Sequence, residues 1–376
     1  MKIVPFEEAD ADTWDQTCEY SQEAWLFHRR AWVDIETRYF VRANHSFALI
    51  AHGEVIGVCP LYLSDAKTNT GGENLLHSGI HRQAGLAVRE RLSKADIKAV
   101  RSAAMREILE RAEQLDVDRV QLNAHNLAPR NLSPERDEIP FWAEDYGFQV
   151  GLAFTSYGMQ PVPGMATCNA DQIISLARPE DELFGQLEES CRRAVRKAQA
   201  FDFELLTGAN ESAIDEHYRI AKLSATRTGE GLAPYDFYRD VWRAFASERR
   251  CAVLFAKRGS ATAAAVILLI DKGGASFLAG VSDPEYLPMR VNDFLHWSAI
   301  VWSKRAGLHF YRLGPWFPTV DPEWPIAKVS RFKKKFGGRA YTIIQGSYFR
   351  HPEKYLAAGQ KLLGDLCCRH EANTCT

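Results

Sequence analysis

The chain has 376 residues, more than one hydrophobic core usually serves, so two domains or two fused subdomains are expected. An apolar fraction of 46% and a charged fraction of 25% exclude a disordered or fibrous chain. A net charge of −2 excludes a global field for nucleic acid, so any such binding has to be local, and no DNA partner is expected.

The first half alternates short apolar runs with amphipathic stretches. Residues 2–5 read as a strand, and Thr13–Tyr20 and Leu26–Phe40 as helices, the second with Trp32, Ile35 and Tyr39 on one face. Phe47–Ala51 and Val55–Leu63 flank His52-Gly53-Glu54, which predicts a hairpin. Asp65–Asn74 is rich in turn residues. Leu75–Val88 holds Gly79 and Gly85 among apolar residues and reads as an irregular strand. A long helix over Lys94–Leu115 and strands at Val117–Asn123 and Phe148–Gln160 complete a mixed α/β pattern. His77 and His81 are four apart, but their glycine-bearing segment is not helical, so no metal is expected there.

The second half repeats this order without obvious sequence identity. Expected are a strand at Asp171–Leu176, one long helix over Pro179–Ala200 and a strand at Phe203–Leu206. Helices at Glu211–Thr226 and Tyr235–Ala246 follow, then a meander of Ala252–Ala256, Ala261–Ile270 and Ala275–Gly280. The remaining elements are a helix Val291–Ala306, strands His309–Leu313 and Ala340–Gly346, and a last helix Pro352–Leu366. The Pro- and small-residue-rich stretch PVPGMATCNA, 161–170, marks the boundary between the halves.

No two of the eight cysteines have the spacing of a zinc knuckle, and reduced, buried thiols are the expectation. The start, MKIVPFEEADAD, does not read as a signal peptide. No apolar run approaches the length of a membrane span, so a cytoplasmic protein with no transmembrane segment is expected.

Chemistry concentrates near the end, in Leu308–Gly338. Ile326, Val329, Phe332 and Phe336 recur at steps of three and four, predicting a short helix stopped by Gly337 and Gly338. Arg331, Lys333, Lys334 and Lys335 crowd its last turn. The helix dipole favours cations there, but four in five residues exceed what capping needs and point to an anion or a developing negative charge. By spacing from Phe332, Lys333 leans off the buried face, and Lys334 and Lys335 are expected to be solvated.

The ending RFKKKFGG resembles the C-terminal signature of the FemABX family, aminoacyl-tRNA-dependent peptidyltransferases, and of related GNAT-type acyltransferases with a doubled fold. Three further stretches fit in order: SCRRAVRKAQAF (Ser190–Phe201), ATRTGEGLAPYDFY (Ala225–Tyr238) and DFLHWSAIVWSKRAG (Asp293–Gly307). The resemblance is good over the second half and general over the first. It implies two tandem GNAT-like subdomains, 1–165 and 166–376, the second carrying the FKKKFGG signature. It carries the family's Phe-Lys pair onto Phe332-Lys333 and makes Lys333 the expected catalytic residue, stabilising the oxyanion of acyl transfer. Arg227, Tyr235, Tyr238, Arg312, Arg331 and Phe332 become expected substrate-binding residues, and Arg192, Arg196 and Arg290 donor-binding ones. The plain alternatives are a solvated helix face paired with Glu188 and Glu189, a surface arginine, and two half-buried tyrosines.

The chain also departs from the resemblance. Phe277 stands where relatives often carry a tyrosine, and Arg312 where an acidic residue is common. Ser282–Phe294 lacks the glycine-rich turn that cradles a CoA pyrophosphate. The stretch 179–200 is too short for the long helical hairpin of some cell-wall members. The expected activity is acyl or aminoacyl transfer onto a small-molecule amine, a nucleotide- or lipid-linked one among the options. The setting implied is peptidoglycan, cell-envelope or surface-polysaccharide biosynthesis. The donor is aminoacyl-tRNA or acyl-CoA, with no permanently bound cofactor and tRNA among the candidate partners. The rival readings are a CoA-dependent N-acyltransferase acting on an amino sugar or amino acid, and a non-catalytic binding module.

Overall fold

The computed structural model describes residues 1–65, 74–79, 84–133, 141, 146, 148–152, 170–229, 231–316, 325–351 and 353. The chain divides into two compact units, Met1–Asn169 with Phe317–Asp321 and Thr342–Thr376, and Ala170–Trp316 with Pro322–Tyr341. The proposed division at residue 165 places all of 166–376 in one subdomain, whereas residues from Thr342 onward are grouped with the first unit. Most of the boundary stretch 161–170 and the expected helix Pro352–Leu366 lie outside the described residues.

The first unit holds two sheets. β1 (Lys2–Pro5), β3 (Phe47–Ala51), β4 (Glu54–Cys59) and β7 (Ala87–Val88) form one, all antiparallel. The other has the order β2 (Ala43–Asn44), β5 (Tyr62–Ser64), β6 (Leu75–His77), β8 (Arg119–Asn123), β17 (Ile344–Phe349) and β9 (Gln149–Leu152). Helix α1 (Ala11–Tyr20) begins where Asp10 accepts the Thr13 amide at 2.9 Å, and α3 (Lys94–Gln114) where Ser93 accepts that of Asp96 at 3.1 Å. The expected helix Leu26–Phe40 is a 3₁₀ turn, Leu26–His28, followed by α2 (Arg30–Tyr39), because Arg29 is extended between them. The irregular strand expected over Leu75–Val88 is two short strands, β6 and β7, in different sheets.

The second unit is built on one sheet in the order β11 (Glu204–Thr207), β12 (Cys251–Arg258), β13 (Ala261–Asp271), β14 (Gly274–Ser282), β15 (Phe310–Trp316), β10 (Ala170–Ser175) and β16 (Arg339–Thr342). β13 is almost wholly buried, as its continuous Ala/Val/Ile/Leu run requires of a strand covered on both faces. Helices α5 (Glu180–Gln186), α6 (Glu189–Gln199) and α9 (Val291–Arg305) pack into one core with β12–β15. Helices α7 (Ser212–Thr228) and α8 (Tyr235–Phe245) lie against β12–β14.

The long helix expected over Pro179–Ala200 is interrupted. Leu187 is extended, so α5 ends there, and the Glu188 amide donates to the Lys335 carbonyl at 2.9 Å instead of continuing a helix. The strand expected at Ala340–Gly346 is likewise two strands, β16 and β17, which belong to different sheets.

The two units share a closing pattern. β10, first strand of the second half, inserts between that half's last two strands, β15 and β16. β17, last strand among the described residues, inserts antiparallel between β8 and β9 of the first. In both sheets a parallel pair precedes the insertion, β14 with β15 and β6 with β8.

Candidate active site

The pairing of β14 with β15 covers only Gly274–Ser276 against Phe310–Arg312. Beyond Ser276 and Arg312 the strands no longer pair with each other, and burial falls along Phe277–Gly280. On its other side β15 stays paired with β10, with a bulge at Leu313 that sets Arg312 opposite Ile173 and Gly314 opposite Gln172. The unpaired edges of β14 and β15 form a wedge.

Helix α10 (Pro325–Lys334) packs on β15 at this wedge. Among its described side chains Ala327 and Ser330 are buried, with Phe336 just beyond its end, whereas Val329 is 39% exposed. Phe332 packs against the core, as expected, and Val329 departs from the expected face; Lys333, one turn after Ser330, lies on the inner side. The double glycine explains how the helix end is held. Gly337 and Gly338 have φ of +77° and +85°, and a Cβ at Gly338 would lie 2.5 Å from the Ile173 carbonyl oxygen. Gln172 donates its side-chain amide to the Gly337 carbonyl, clamping the end of α10 to β10.

Lys333 Nζ donates to the Pro315 carbonyl at 2.8 Å and lies 6.0 Å from the centre of the Phe277 ring. Burial and the neighbouring Arg312 guanidinium push its ammonium down to about 7, with Asp171 pulling the other way. Arg312 is itself buried. It meets Asp171 Oδ1 at 2.6 Å and donates to Ser276 Oγ at 3.0 Å.

The other lysines of the cluster behave differently. Lys334 is exposed, as expected. Lys335, expected to be solvated, is instead paired with the buried Asp293 in the first turn of α9, its ammonium 4.1 Å from the centre of the Phe332 ring. Lys335 lies one turn after the half-buried Phe332, its amide still bonded to the Arg331 carbonyl, and so shares that ring's inward side. His296, one turn after Asp293, packs against Phe277, Phe332 and Phe336 with centroids 5.4–5.5 Å apart. Burial, with Lys333 and Lys335 alongside, pushes its imidazole down to about 3.

Of the residues singled out in the sequence, Lys333, Phe332 and Arg312 come together here. Arg331 is exposed on α10. Arg192 caps α5, donating to the carbonyls of Gly185, at 2.9 Å, and Leu187. Arg196 is exposed and lies 5.3 Å from the Phe184 ring centre. Arg290 is exposed, with φ +62°, at the start of α9. Arg227 is exposed near the end of α7. Tyr235 donates its hydroxyl to Asp215 at 2.6 Å, and Tyr238 is buried against His217. Asp171, Ser276, Asp293, His296 and the Pro315 carbonyl were not legible as site residues. Each is a single polar group inside an apolar strand or helix, and only the pairing of distant segments joins them.

His77 has a structural place. Its Nδ1 accepts the Gly79 amide at 3.1 Å, so its Nε2 carries the proton and donates to Ser64 Oγ at 2.9 Å. His81 lies outside the described residues, among which no cluster of metal-ligating side chains occurs. No helix of the described residues is long and apolar enough to cross a membrane.

Residues 186–332 match the family model of an acetyltransferase (GNAT) domain. No curated protein matches the chain. Among solved structures, FemX is similar at a TM-score of 0.67 and 13% identity, over 95% of this chain and 99% of that one. L-PGS from Bacillus licheniformis is similar at 0.55 and 12% identity, over 95% and 96%. A tandem GNAT protein from the clavulanic acid biosynthesis pathway is similar at 0.52 and 13%, over 93% and 98%. At these identities the likeness concerns the fold alone, which is the tandem GNAT fold.

Proposed function

We propose that this protein is an acyl- or aminoacyltransferase that forms an amide on an amine acceptor, with its reacting centre at Lys333. The observation that carries this reading is the placement of Lys333 Nζ at the wedge, 2.8 Å from the carbonyl of Pro315, which lies on β15 beyond the end of its pairing with β14. An extended acyl chain entering between the two edges would find main-chain donors and acceptors on both sides. Its carbonyl would then lie beside a desolvated lysine, where the charge of a tetrahedral oxyanion is strongly stabilised. Amide formation needs two reactants held together and a group at the oxyanion, and the side chains and main chain of one unit could supply both.

For the donor we favour an aminoacyl ester carried on tRNA. The turn after β14 is a 3₁₀ helix, Pro284–Met289, with no glycine to let a pyrophosphate approach the backbone. The first turn of α9 already holds a buried carboxylate, Asp293, which is paired with Lys335. On α6, Arg193, Arg196 and Lys197 are exposed and can meet phosphates. The match to the acetyltransferase model favours the second reading, an acyl-CoA donor. The acceptor proposed is a small amine, nucleotide- or lipid-linked, of cell-envelope, peptidoglycan or surface-polysaccharide biosynthesis.

The test offers the full chain a tRNA pool charged with labelled amino acids and, separately, labelled acetyl-CoA, each with a panel of amino sugars, nucleotide-linked amino sugars and lysine-containing peptides. Mass spectrometry reads the product. An amide formed by the wild type and lost in Lys333→Ala supports the reading. No amide from either donor overturns it, and equal yield from the variant removes Lys333 from the chemistry.

A further inference from the structure

Lys333 and Lys335 are two residues apart and both turn inward, yet only one of them receives a carboxylate. Lys335 has Asp293. Lys333 has no carboxylate within salt-bridge distance among the described residues, and its hydrogen bond goes to the neutral carbonyl of Pro315. The acid that acts on it electrostatically, Asp171, is engaged by Arg312, whose guanidinium is also held by Ser276. Arg312 carries only donors, so it cannot accept a proton from Lys333 or offer it a lone pair. The charged and titratable groups around Lys333 are Arg312 from β15, Asp171 from β10, His296 and Asp293 from α9, and Lys335 beyond the end of its own helix. β14 contributes Phe277 and Ser276, which are uncharged at neutral pH.

We propose that Lys333 is the proton shuttle of the transfer reaction and that the Arg312–Asp171–Ser276 group beside it is the positioning unit that keeps it ready to receive a proton. This rests on the transfer reading above and deepens it. The acceptor amine attacks the donor carbonyl, a C–N bond forms, and the nitrogen becomes a cation that must lose a proton. The free amine of Lys333 takes that proton. The resulting ammonium then lies beside the oxyanion, which gains its counter-charge as it forms. When the tetrahedral intermediate collapses, the C–O bond of the ester, or the C–S bond of a thioester, breaks. The leaving oxygen or sulfur takes the proton back from Lys333. One proton moves from acceptor nitrogen to lysine to leaving group, and none is gained or lost overall. Arg312, held by Asp171 and Ser276, adds positive charge beside Lys333 without competing for the proton, whereas an acid in its place would hold Lys333 permanently charged.

Competitive labelling tests this without any substrate. The full chain is treated with trace acetic anhydride across pH 6–11, and the acetylation of Lys333 and Lys334 is read by peptide mass spectrometry. Lys333 is expected to reach half-reaction at least about two pH units below Lys334, the exposed control. In Arg312→Gln, Asp171 is released to pair with Lys333, and its midpoint is expected to rise by more than about one unit. Arg312→Lys keeps the charge and is expected to leave the midpoint low, which serves where Arg312→Gln folds poorly. The pH profile of transfer by the same proteins should lose activity on its acid side at the Lys333 midpoint and shift with it in Arg312→Gln.

A Lys333 midpoint equal to that of Lys334 overturns the shuttle, whatever the substrate proves to be. A low midpoint with an acid limb that stays fixed in Arg312→Gln also overturns it. A low midpoint in a protein that transfers no acyl group from either donor sinks the transfer reading, and the shuttle with it.

Discussion

Arg312 and Asp171 form a buried ion pair at 2.6 Å that ties β15 to β10, the strand inserted beside it. Asp171 has no solvent exposure and Arg312 very little, so neither can exchange its partner for water. Removing Asp171 leaves the guanidinium stranded in the interior, at a cost of about 3–5 kcal/mol, and removing Arg312 costs less to the extent that Lys333 takes up Asp171. Asp171→Asn is expected to lower the melting temperature sharply, and Arg312→Met by less. The double variant is expected to recover a large part of the loss, because no charge is then stranded. Additive losses in thermal unfolding would show that the pair is not a unit.

Acid should weaken the second unit. His217 is fully buried on α7, neither ring nitrogen has a hydrogen-bond partner among the described residues, and burial pushes it down to about 4. The unfolded chain takes up its proton near pH 6.5, while the folded chain resists until about 4. The stability tied to a neutral His217 is therefore fully present above pH 6.5 and lost as pH falls toward 4, on the order of 3 kcal/mol in all. His296, pushed down to about 3, adds a loss of the same sign. Urea unfolding at pH 7 and pH 4.5 measures the slope. His217→Phe should flatten it, and an unchanged slope would assign acid sensitivity to other groups.

The helix end is the next place to test. A methyl group at Gly338 would lie 2.5 Å from the Ile173 carbonyl oxygen, and φ there is +85°. Gly338→Ala is expected to cost a few kcal/mol, on the scale of strain at a special φ combined with a steric clash. It should also move α10 away from β10 and alter the labelling of Lys333. Gly259, in the tight turn between β12 and β13, is also at positive φ, but a Cβ there meets nothing within 4 Å. Gly259→Ala is therefore the control for φ alone. Equal losses from both in thermal melts would mean that the approach to Ile173 is not what selects the glycine.

The sequence and the structure agree where periodicity and punctuation are strong. The meander β12–β14, helices α7–α9 and the glycine stop after α10 were legible because apolar runs and breakers mark them. The break at Leu187 was not, since nothing in DELFGQLEESCRRAV interrupts the helical pattern strongly, and the interruption is set by the long-range bond to Lys335. On α10 the periodicity placed Phe332 and Phe336 against the core correctly, but not Val329, which is apolar yet exposed while the small Ala327 and Ser330 are buried. The partner of Arg312 lies 141 positions earlier in the chain, so its charge could be seen in the sequence and its neutralisation could not.

The insertion of β17 between β8 and β9 makes a prediction about cutting the chain. Residues 1–165 alone would leave facing edges on β8 and β9, a template for aggregation. Residues 166–376 alone would carry β17 with neither of these neighbours. Each fragment is expected to be insoluble or molten when expressed singly. Co-expression should return soluble protein that co-purifies through one tag. Cooperative unfolding of either fragment alone would show that the insertion is dispensable.

Lys333 is expected to matter for turnover and little for folding. It gains one hydrogen bond, to the Pro315 carbonyl, and its burial disfavours its charged form. Lys333→Met keeps most of the apolar stem and removes the amine, so its melting temperature should match or exceed that of the wild type. Turnover should fall on the order of 10²–10³, the scale of one lost oxyanion donor, while the KM for acceptor changes far less because the charge it meets exists mainly in the transition state. Lys333→Arg should rescue poorly, since a guanidinium cannot act as a free base at neutral pH and its planar fork does not replace a compact ammonium. Lys334→Ala, at an exposed position, should be nearly silent in both measurements. Lys335→Ala should do the opposite of Lys333→Met and lower the melting temperature by leaving the Asp293 carboxylate buried without its lysine. Steady-state kinetics and thermal melts on these variants separate the roles. Equal kinetic damage from Lys333→Met and Lys334→Ala would mean the lysines act as one diffuse field. A large stability loss in Lys333→Met would mean that this residue, like Lys335, is there to hold the fold.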